Sequence, residues 1–200
     1  YDAIMKKVGP AFTTMSKNLD DGDVDRAVKD AQQSGASAYV ADDYTKLEGS
    51  LAAIKKEVAE QDAKFALFRD YGKVDQLVGT TKAEAERVKA EAVKRMEDAK
   101  AAAVQAHHEA QDAVKRALDL AAKAPTGKDR AALESIRTDA EALRASLNDV
   151  QMMIDKSDYL AAKTKADAIR DKSRAVSHEI ETALVELYRL TGEPAYLRLA

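Results

Sequence analysis

The sequence predicts an all-α protein, folded as an elongated antiparallel helical bundle. Apolar residues recur at three- and four-residue spacing through most of the 200 residues, which is typical of helices with one buried face. From Lys73 to Ala124 the chain contains no proline and a single glycine. Three aspartates open helix-like stretches, each followed by apolar residues one and two turns later: Asp23, Asp70 and Asp158. Aspartate is a favourable N-cap because its carboxylate accepts amide protons of the first turn.

Composition limits both the core and the partners. Hydrophobic residues make up 46 % of the chain but aromatic residues only 5 %, and alanine supplies much of the remainder. We therefore expect thin packing between closely approaching helices, because alanine buries little apolar area. The charges nearly cancel, with a net charge of −3, which disfavours nucleic acid as a partner. The chain has no cysteine, which excludes disulfides and thiolate metal sites.

The amino-terminal third is expected to contain three helices. The first covers residues 2–19, where Gly9-Pro10 should kink or split it. Asp23 should cap a short second helix that ends near Gln33, and residues 36–41 should form a brief connector.

A longer third helix is expected over residues 43–69, capped by Asp42 or Asp43. Its apolar stripe consists of Tyr44, Leu47, Leu51, Ile54, Val58, Phe65 and Phe68. A turn at 70–72 then leads into the longest helix of the chain.

Heptad spacing predicts one continuous helix over residues 73–123, on the order of 75 Å long. A seam of seven-residue period runs along it: Val78, Ala85, Ala92, Ala99, Ala106, Ala113 and Leu120. A second seam is interrupted at Arg95 and moves to Met96, Ala103, Ala110 and Ala117. Alanine is the best helix former, which supports the same interpretation.

The carboxyl-terminal third begins at the proline-glycine break of residues 124–127, after which Asp129 should cap the next helix. Three elements are expected in order: a helix over 130–154, a turn at 155–158 and a helix from Tyr159 to about Leu190. Residues 191–194 should end the last helix. The apolar tail of Tyr196, Leu197 and Leu199 should fold back onto the bundle.

Two segments are similar enough to be diverged duplicates. Leu47-Glu48 leads to Asp70-Tyr71, and Leu133-Glu134 leads to Asp158-Tyr159 at nearly the same spacing. The long helix is about twice the length of its neighbours. We therefore expect two bundles placed end to end, residues 1–97 and 98–200, that share this helix. A single long bundle with kinked helices is the alternative.

The segment from Ala31 to Leu47 contains the connector Tyr39-Val40-Ala41-x-Asp43-Tyr44 and is followed by Asp70-Tyr71-x-x-Val74 and an alanine-rich helix. This pattern resembles a bacterial family of exported helical domains of unknown function. Its members are often lipoproteins. This chain departs from the family pattern at Val40-Ala41, where Ala-Pro is usual, and at Phe68-Arg69 before the turn. The resemblance covers about residues 25–110 and implies a periplasmic or outer-membrane-anchored location. It implies no catalytic residue.

The start of the chain is consistent with export. Because the chain begins at Tyr1 rather than methionine, we expect that a signal peptide, or a lipidated cysteine upstream of Tyr1, has been removed. The apolar runs are too short for a transmembrane segment.

Histidines are the candidate metal ligands. His108 and Asp112 have the i,i+4 spacing that can chelate zinc or copper, with His107 beside them. No motif supplies further ligands from another helix, so we expect a solvated helix face and no metal. His178 leads to the same expectation.

A haem site would use Met5 and His178, by analogy with four-helix cytochromes of the b type. Alanine-dominated helices offer few of the large apolar walls that a porphyrin needs. We therefore expect no cofactor.

Enzymatic activity is not expected. Acidic residues alternate with basic ones at i,i+4, as in Glu91 with Arg95, a spacing that stabilises exposed helices. The di-iron Glu-x-x-His pattern and glycine-rich phosphate loops are absent from the sequence.

Large aromatic residues cluster near the predicted helix ends. They are expected to close the ends of the bundles or to form a partner-binding patch: Tyr44, Phe65, Phe68, Tyr71, Tyr159 and Tyr196. The sequence thus predicts a non-enzymatic structural or protein-interaction module of the bacterial envelope, which binds a protein partner or self-associates. The alternative is a bundle that carries a lipid, haem or another small apolar ligand.

Overall fold

The protein is all-α in the part of the chain that the structure describes. The structure is a computed structural model and describes residues 22–65, 68–123 and 130–199, without the side chains of 130–133. Seven helices lie in these ranges: α1 Asp23–Gln33, α2 Ala36–Tyr39, α3 Ala41–Asp62, α4 Gly72–Lys123, α5 Arg130–Asp155, α6 Tyr159–Thr191 and α7 Pro194–Leu199. The predicted fold class is confirmed. The expected helix over 2–19, with Met5, and the break and cap at 124–129 lie outside the described residues.

The chain forms two compact units, Tyr1–Glu97 and Asp98–Ala200. The core of the first unit is built on α1, α2, α3 and the first part of α4, with Leu47, Val74 and Val88 fully buried. Two ion pairs fasten α1 to its neighbours: Lys82 Nζ lies 2.7 Å from the Asp23 carboxylate, and Lys55 Nζ lies 2.8 Å from that of Asp25.

The second unit packs α5, α6 and α7 with the remaining part of α4. Ala121, Ile180 and Leu184 form a buried cluster. Tyr196 and Leu199 pack against this cluster, so the predicted return of the tail onto the bundle is confirmed for these two side chains.

The long helix α4 begins and ends within one residue of the predicted bounds. Burial follows the predicted seam in its first half. Further along, Ala113 and Leu120 are half-buried while their neighbours Val114 and Ala121 are buried. A straight helix has 3.6 residues per turn, so a strict seven-residue pattern drifts off the buried face by about 20° per heptad.

The third helix is shorter than predicted, and the connector at 36–41 is partly helical. α3 ends at Asp62, whereas the sequence predicted a helix to residue 69. Gln61 and Asp62 interrupt the apolar stripe between Val58 and Phe65, and their side chains accept hydrogen bonds from Asp70 and Tyr71 beyond the helix end. Residues 36–39 form the one-turn helix α2, entered through Gly35 at φ 84°.

Two of the predicted caps, Asp70 and Asp158, accept amide protons at the start of the helix that follows them. The Asp158 carboxylate accepts from the Ala161 amide at 3.4 Å and caps α6. The prediction for Asp23 was wrong, because the left-handed Gly22 precedes the helix and Asp23 is already its first residue. The prediction for Asp42 or Asp43 was also wrong, since Val40 occupies the N-cap position of α3.

The turn between α5 and α6 is tight and well defined. The Ser157 amide donates to the Ile154 carbonyl and the Asp158 amide to the Met153 carbonyl, each at 2.9 Å, which is the Schellman arrangement at a helix end. Ser157 takes the left-handed conformation, with φ 63°. The Tyr159 side chain that follows is buried.

Candidate interaction site

Two phenylalanines stand out from the surface of the first unit. Phe65 is 84 % exposed and Phe68 is 75 % exposed. Both lie between α3 and α4, in a segment that we call the phenylalanine connector (residues 63–65 and 68–71). The Phe68 amide donates to the Phe65 carbonyl at 2.8 Å. The two backbones are therefore adjacent.

Arg69 fixes the connector to the end of α3. Its Nη2 donates to the Asp62 carbonyl at 3.0 Å, and its Nε donates to the Lys64 carbonyl at 3.1 Å. Carbonyls at a helix end lack intrahelical partners. Arg69 thus satisfies the carbonyl of the last residue of α3 and, through Lys64, a carbonyl of the connector itself.

Gln61 fixes the other end of the connector. Its side-chain oxygen accepts from the Asp70 amide at 3.1 Å, and its Nε2 donates to Glu57 at 2.9 Å. Glu57 also accepts from Lys73 Nζ in α4. Gln61 and Glu57 are both buried, and the hydrogen bond from Lys73, followed by that from Gln61, lowers the pKa of Glu57.

Tyr71 closes the connector. Its hydroxyl donates to the Asp62 carboxylate at 2.7 Å, and this hydrogen bond is the main cause that raises the Tyr71 pKa. Asp70 stabilises the start of α4 by accepting from the Gly72 amide at 2.9 Å. The connector and the Asp62 beside it carry two basic and two acidic side chains: Lys64, Arg69, Asp62 and Asp70.

The predicted aromatic residues do not form one site. Phe65, Phe68 and Tyr71 share the connector, whereas Tyr44 is buried in the core of the first unit and Tyr159 in the second. Tyr196 packs on the cluster of the second unit. The exposed positions of Phe65 and Phe68 correct their assignment to the stripe of α3, because that helix ends before them.

Further exposed apolar side chains also lie near helix ends. Met152 and Leu160 flank the α5–α6 turn, at 51 % and 48 % exposure. Leu190, at 82 %, and Leu197, at 47 %, lie where α6 meets α7. The sequence analysis missed Leu160 and Leu190, although each lies off the apolar stripe of its helix.

The structure corrects the expectation of a solvated face for His107 but not for His108. His107 is buried, and its Nε2 lies 3.3 Å from Gln111 Nε2. Its ring stacks on that of His108 with centroids 6.3 Å apart, and desolvation, followed by the charge of His108, lowers the His107 pKa. His108, Asp112 and His178 are exposed. Within the described ranges, no group of three or more His, Asp or Glu side chains is arranged to hold a metal ion.

Two clefts lie within the second unit. The larger, about 860 Å³, runs between α4 and α5 over Val114, Leu118 and Leu147. Its rim is polar and mostly charged: Gln111, Lys115, Asp119, Arg137, Glu141, Arg144 and Asn148. The smaller, about 500 Å³, lies between α4 and α6 and is lined mainly by charged side chains.

Comparison with known proteins adds no family. No protein-family model, curated protein or solved structure matches the chain. Of the helices that the structure describes, none combines the length and the apolar character needed to cross a membrane.

Proposed function

We propose that the protein is a non-enzymatic interaction module of the bacterial cell envelope, which binds a protein partner through apolar side chains at its helix ends. The supporting observation is where these side chains lie. Of the eight large apolar side chains that are exposed in the described ranges, six lie at or near helix ends: Phe65, Phe68, Met152, Leu160, Leu190 and Leu197.

Isolated apolar residues are normal on any protein surface. Here they occur in pairs at three connections, while the mid-helix faces that the structure describes carry only the marginally exposed Val93 and Val104. Paired apolar side chains in a polar surround are typical of contact sites, because a few anchors supply most of the binding energy of an interface.

The envelope location rests on the resemblance to exported helical domains. Fractionation of the source cells tests it. Recovery of the protein with the periplasm or outer membrane would support the location, and recovery in the cytosol would contradict it.

Paired substitutions test the interaction. Quantitative affinity capture from an envelope extract would compare wild type with three double variants: F65S/F68S, M152S/L160S and L190S/L197S. We expect at least one of them to lose a specific partner, and the mid-helix control V93S/V104S to retain it. Equal capture by all the variants would contradict the proposal.

A carrier is the second candidate, and the cleft between α4 and α5 is the observation that favours it. Its floor of Val114, Leu118 and Leu147 could receive an apolar chain, while its charged rim would contact a polar head group. Native mass spectrometry of the purified protein should then find a bound small molecule, which Leu118→Arg should displace.

A further inference from the structure

We propose that His107 and Gln111 form a pH-sensitive switch at the cleft between α4 and α5. Protonation of the buried His107 ring reverses the side-chain amide of Gln111, which lines this cleft. The two residues lie one turn apart on α4, and Gln111 Nε2 lies 3.3 Å from His107 Nε2. A single contact thus connects a buried titratable group to the rim of a cleft.

The contact between the two nitrogens assigns the protonation state of the ring. An amide nitrogen donates hydrogen bonds and does not accept them. The contact is therefore a hydrogen bond only when His107 Nε2 is unprotonated and accepts. His107 is thus neutral, with its proton on Nδ1. Desolvation, followed by the charge of His108, lowers the His107 pKa, which agrees with a neutral ring at neutral pH.

Acid reverses the direction of this hydrogen bond. A solvent proton that binds Nε2 makes both ring nitrogens donors, so two N–H groups would face each other across the 3.3 Å contact. Rotation of the Gln111 amide by half a turn puts Oε1 in the place of Nε2, and this oxygen accepts from the imidazolium. The amide atom on the far side from the ring then changes from the acceptor Oε1 to the donor Nε2. Gln111 therefore presents a donor instead of an acceptor at the rim of the cleft.

The charged groups around this turn of α4 leave the imidazolium without a better acceptor. On α4, His108 stacks on the ring and Asp112 is exposed. The other nearby carboxylates of the three helices are in ion pairs: Glu109, Asp167 and Asp171 with Arg170, Asp149 with Lys165, and Glu141 with Arg144. We therefore expect the protonated ring to take its acceptor from Gln111.

NMR spectroscopy of the isotope-labelled full chain, between about pH 7.5 and about pH 5, tests the switch. At the upper pH we expect an unprotonated Nε2 and a protonated Nδ1 in His107, and at the lower pH two protonated nitrogens. The side-chain amide resonances of Gln111 should shift with the same midpoint as the His107 ring. The nuclear Overhauser contact between the Gln111 amide protons and the ring should be lost in acid.

His107→Gln removes the titrating group, so the Gln111 amide resonances should lose this pH dependence. His178→Gln is the matched control, because His178 is exposed, and it should leave the pH dependence of Gln111 unchanged.

Substitution of Gln111 tests the same contact from the other side. Gln111→Leu should lower the measured His107 pKa further, because the hydrogen bond to the imidazolium is stronger than the one to the neutral ring. Gln111→Glu should raise it, because a carboxylate stabilises the imidazolium.

Several outcomes would overturn the switch. A protonated Nε2 at the upper pH would refute the assigned tautomer. Titration of His107 without a change at Gln111 would refute the amide reversal, and so would an equal change at Gln111 in His107→Gln. The backbone resonances of Ile180 and Leu184, in the buried cluster of the second unit, report whether this unit stays folded. Their collapse together with the titration of His107 would show that protonation unfolds the unit instead of switching the amide.

Discussion

His107 links the stability of the second unit to pH. It is buried, and desolvation, followed by the charge of the neighbouring His108, lowers its pKa below the ordinary value of 6.5. The unfolded chain therefore binds a proton at a higher pH than the folded chain does. The contribution of neutral His107 to the free energy of unfolding is fully present above the pKa of the unfolded chain. It is lost as the pH falls from about 6.5 toward the lower pKa of the folded chain.

Urea unfolding between about pH 7.5 and about pH 5 tests this dependence. We expect the midpoint of the wild type to fall with pH, and the midpoint of His107→Gln to fall less. His178→Gln is the matched control, because this histidine is exposed, and it should keep the wild-type slope. Carboxylates whose pKa is lowered by ion pairs, such as Glu57, affect stability at lower pH. They are the same in the wild type and in both variants, so they do not alter the comparison. Identical slopes for wild type and His107→Gln would refute the assignment.

The carboxylates of Asp158 and Asp42 should contribute differently to the stability of the protein, although both residues lie at a helix start. Asp158 accepts the Ala161 amide at the N-cap of α6, and the loss of such a cap costs about 0.5–2 kcal/mol. Asp42 is the exposed second residue of α3 and makes no cap. Asp158→Ala should therefore lower the free energy of unfolding by about 1 kcal/mol, and Asp42→Ala by less than about 0.5 kcal/mol. Chemical denaturation of both variants measures the difference, and equal losses would contradict it.

The sequence could locate these aspartates near helix starts but could not assign their contacts. A capping carboxylate must belong to the residue just before the helix. The backbone conformation of a single residue can decide where the helix starts, and hence which residue that is. Gly22, at φ 58°, moves Asp23 into the helix, where its carboxylate meets Lys82 from a distant part of the chain. That contact requires the tertiary fold, which no local pattern encodes.

At the scale of the helix, the small-residue seam of α4 yields a graded prediction. Ala106 is 5 % exposed, whereas Ala99 is half-buried and Ala101 exposed. Leucine and alanine differ little in helix propensity, so substitution reports packing. Ala106→Leu should destabilise the protein by about 1–3 kcal/mol through overpacking, Ala99→Leu by less, and Ala101→Leu within about 0.5 kcal/mol. Thermal melts rank the three variants, and an unchanged melt for Ala106→Leu would contradict burial of the seam.

Periodicity predicted the helices well because burial of one face dominates their sequence pattern. α4 was predicted almost to the residue, and α5 and α6 nearly so. The end of α3 was not, because Phe65 and Phe68 continue its apolar spacing although they lie outside the helix. The informative signal was the polar pair Gln61-Asp62 in the middle of that stripe. Its hydrogen bonds to the connector and to Tyr71 determine where the helix ends. The sequence thus identified three residues of the candidate site, Phe65, Phe68 and Tyr71. It did not predict that the side chains of Phe65 and Phe68 are exposed.

At the scale of the whole molecule, each compact unit contains its own buried core. Ala121, Ile180 and Leu184 form the buried cluster of the second unit. These three residues, and all the partly buried residues packed against them, come after Asp98 in the chain. A cut between residues 97 and 98 divides α4 but leaves this cluster whole. Water can satisfy the backbone groups that the cut leaves at the new helix end.

A fragment of residues 98–200 should therefore be helical by circular dichroism and melt cooperatively. A shorter fragment, residues 110–200, is the matched control. It removes the buried Ala103 and Ala106 and the buried His107, so it should melt at a lower temperature and with less cooperativity. If the 98–200 fragment showed no cooperative transition, its core would depend on residues before Asp98, and the independence of the second unit would be refuted.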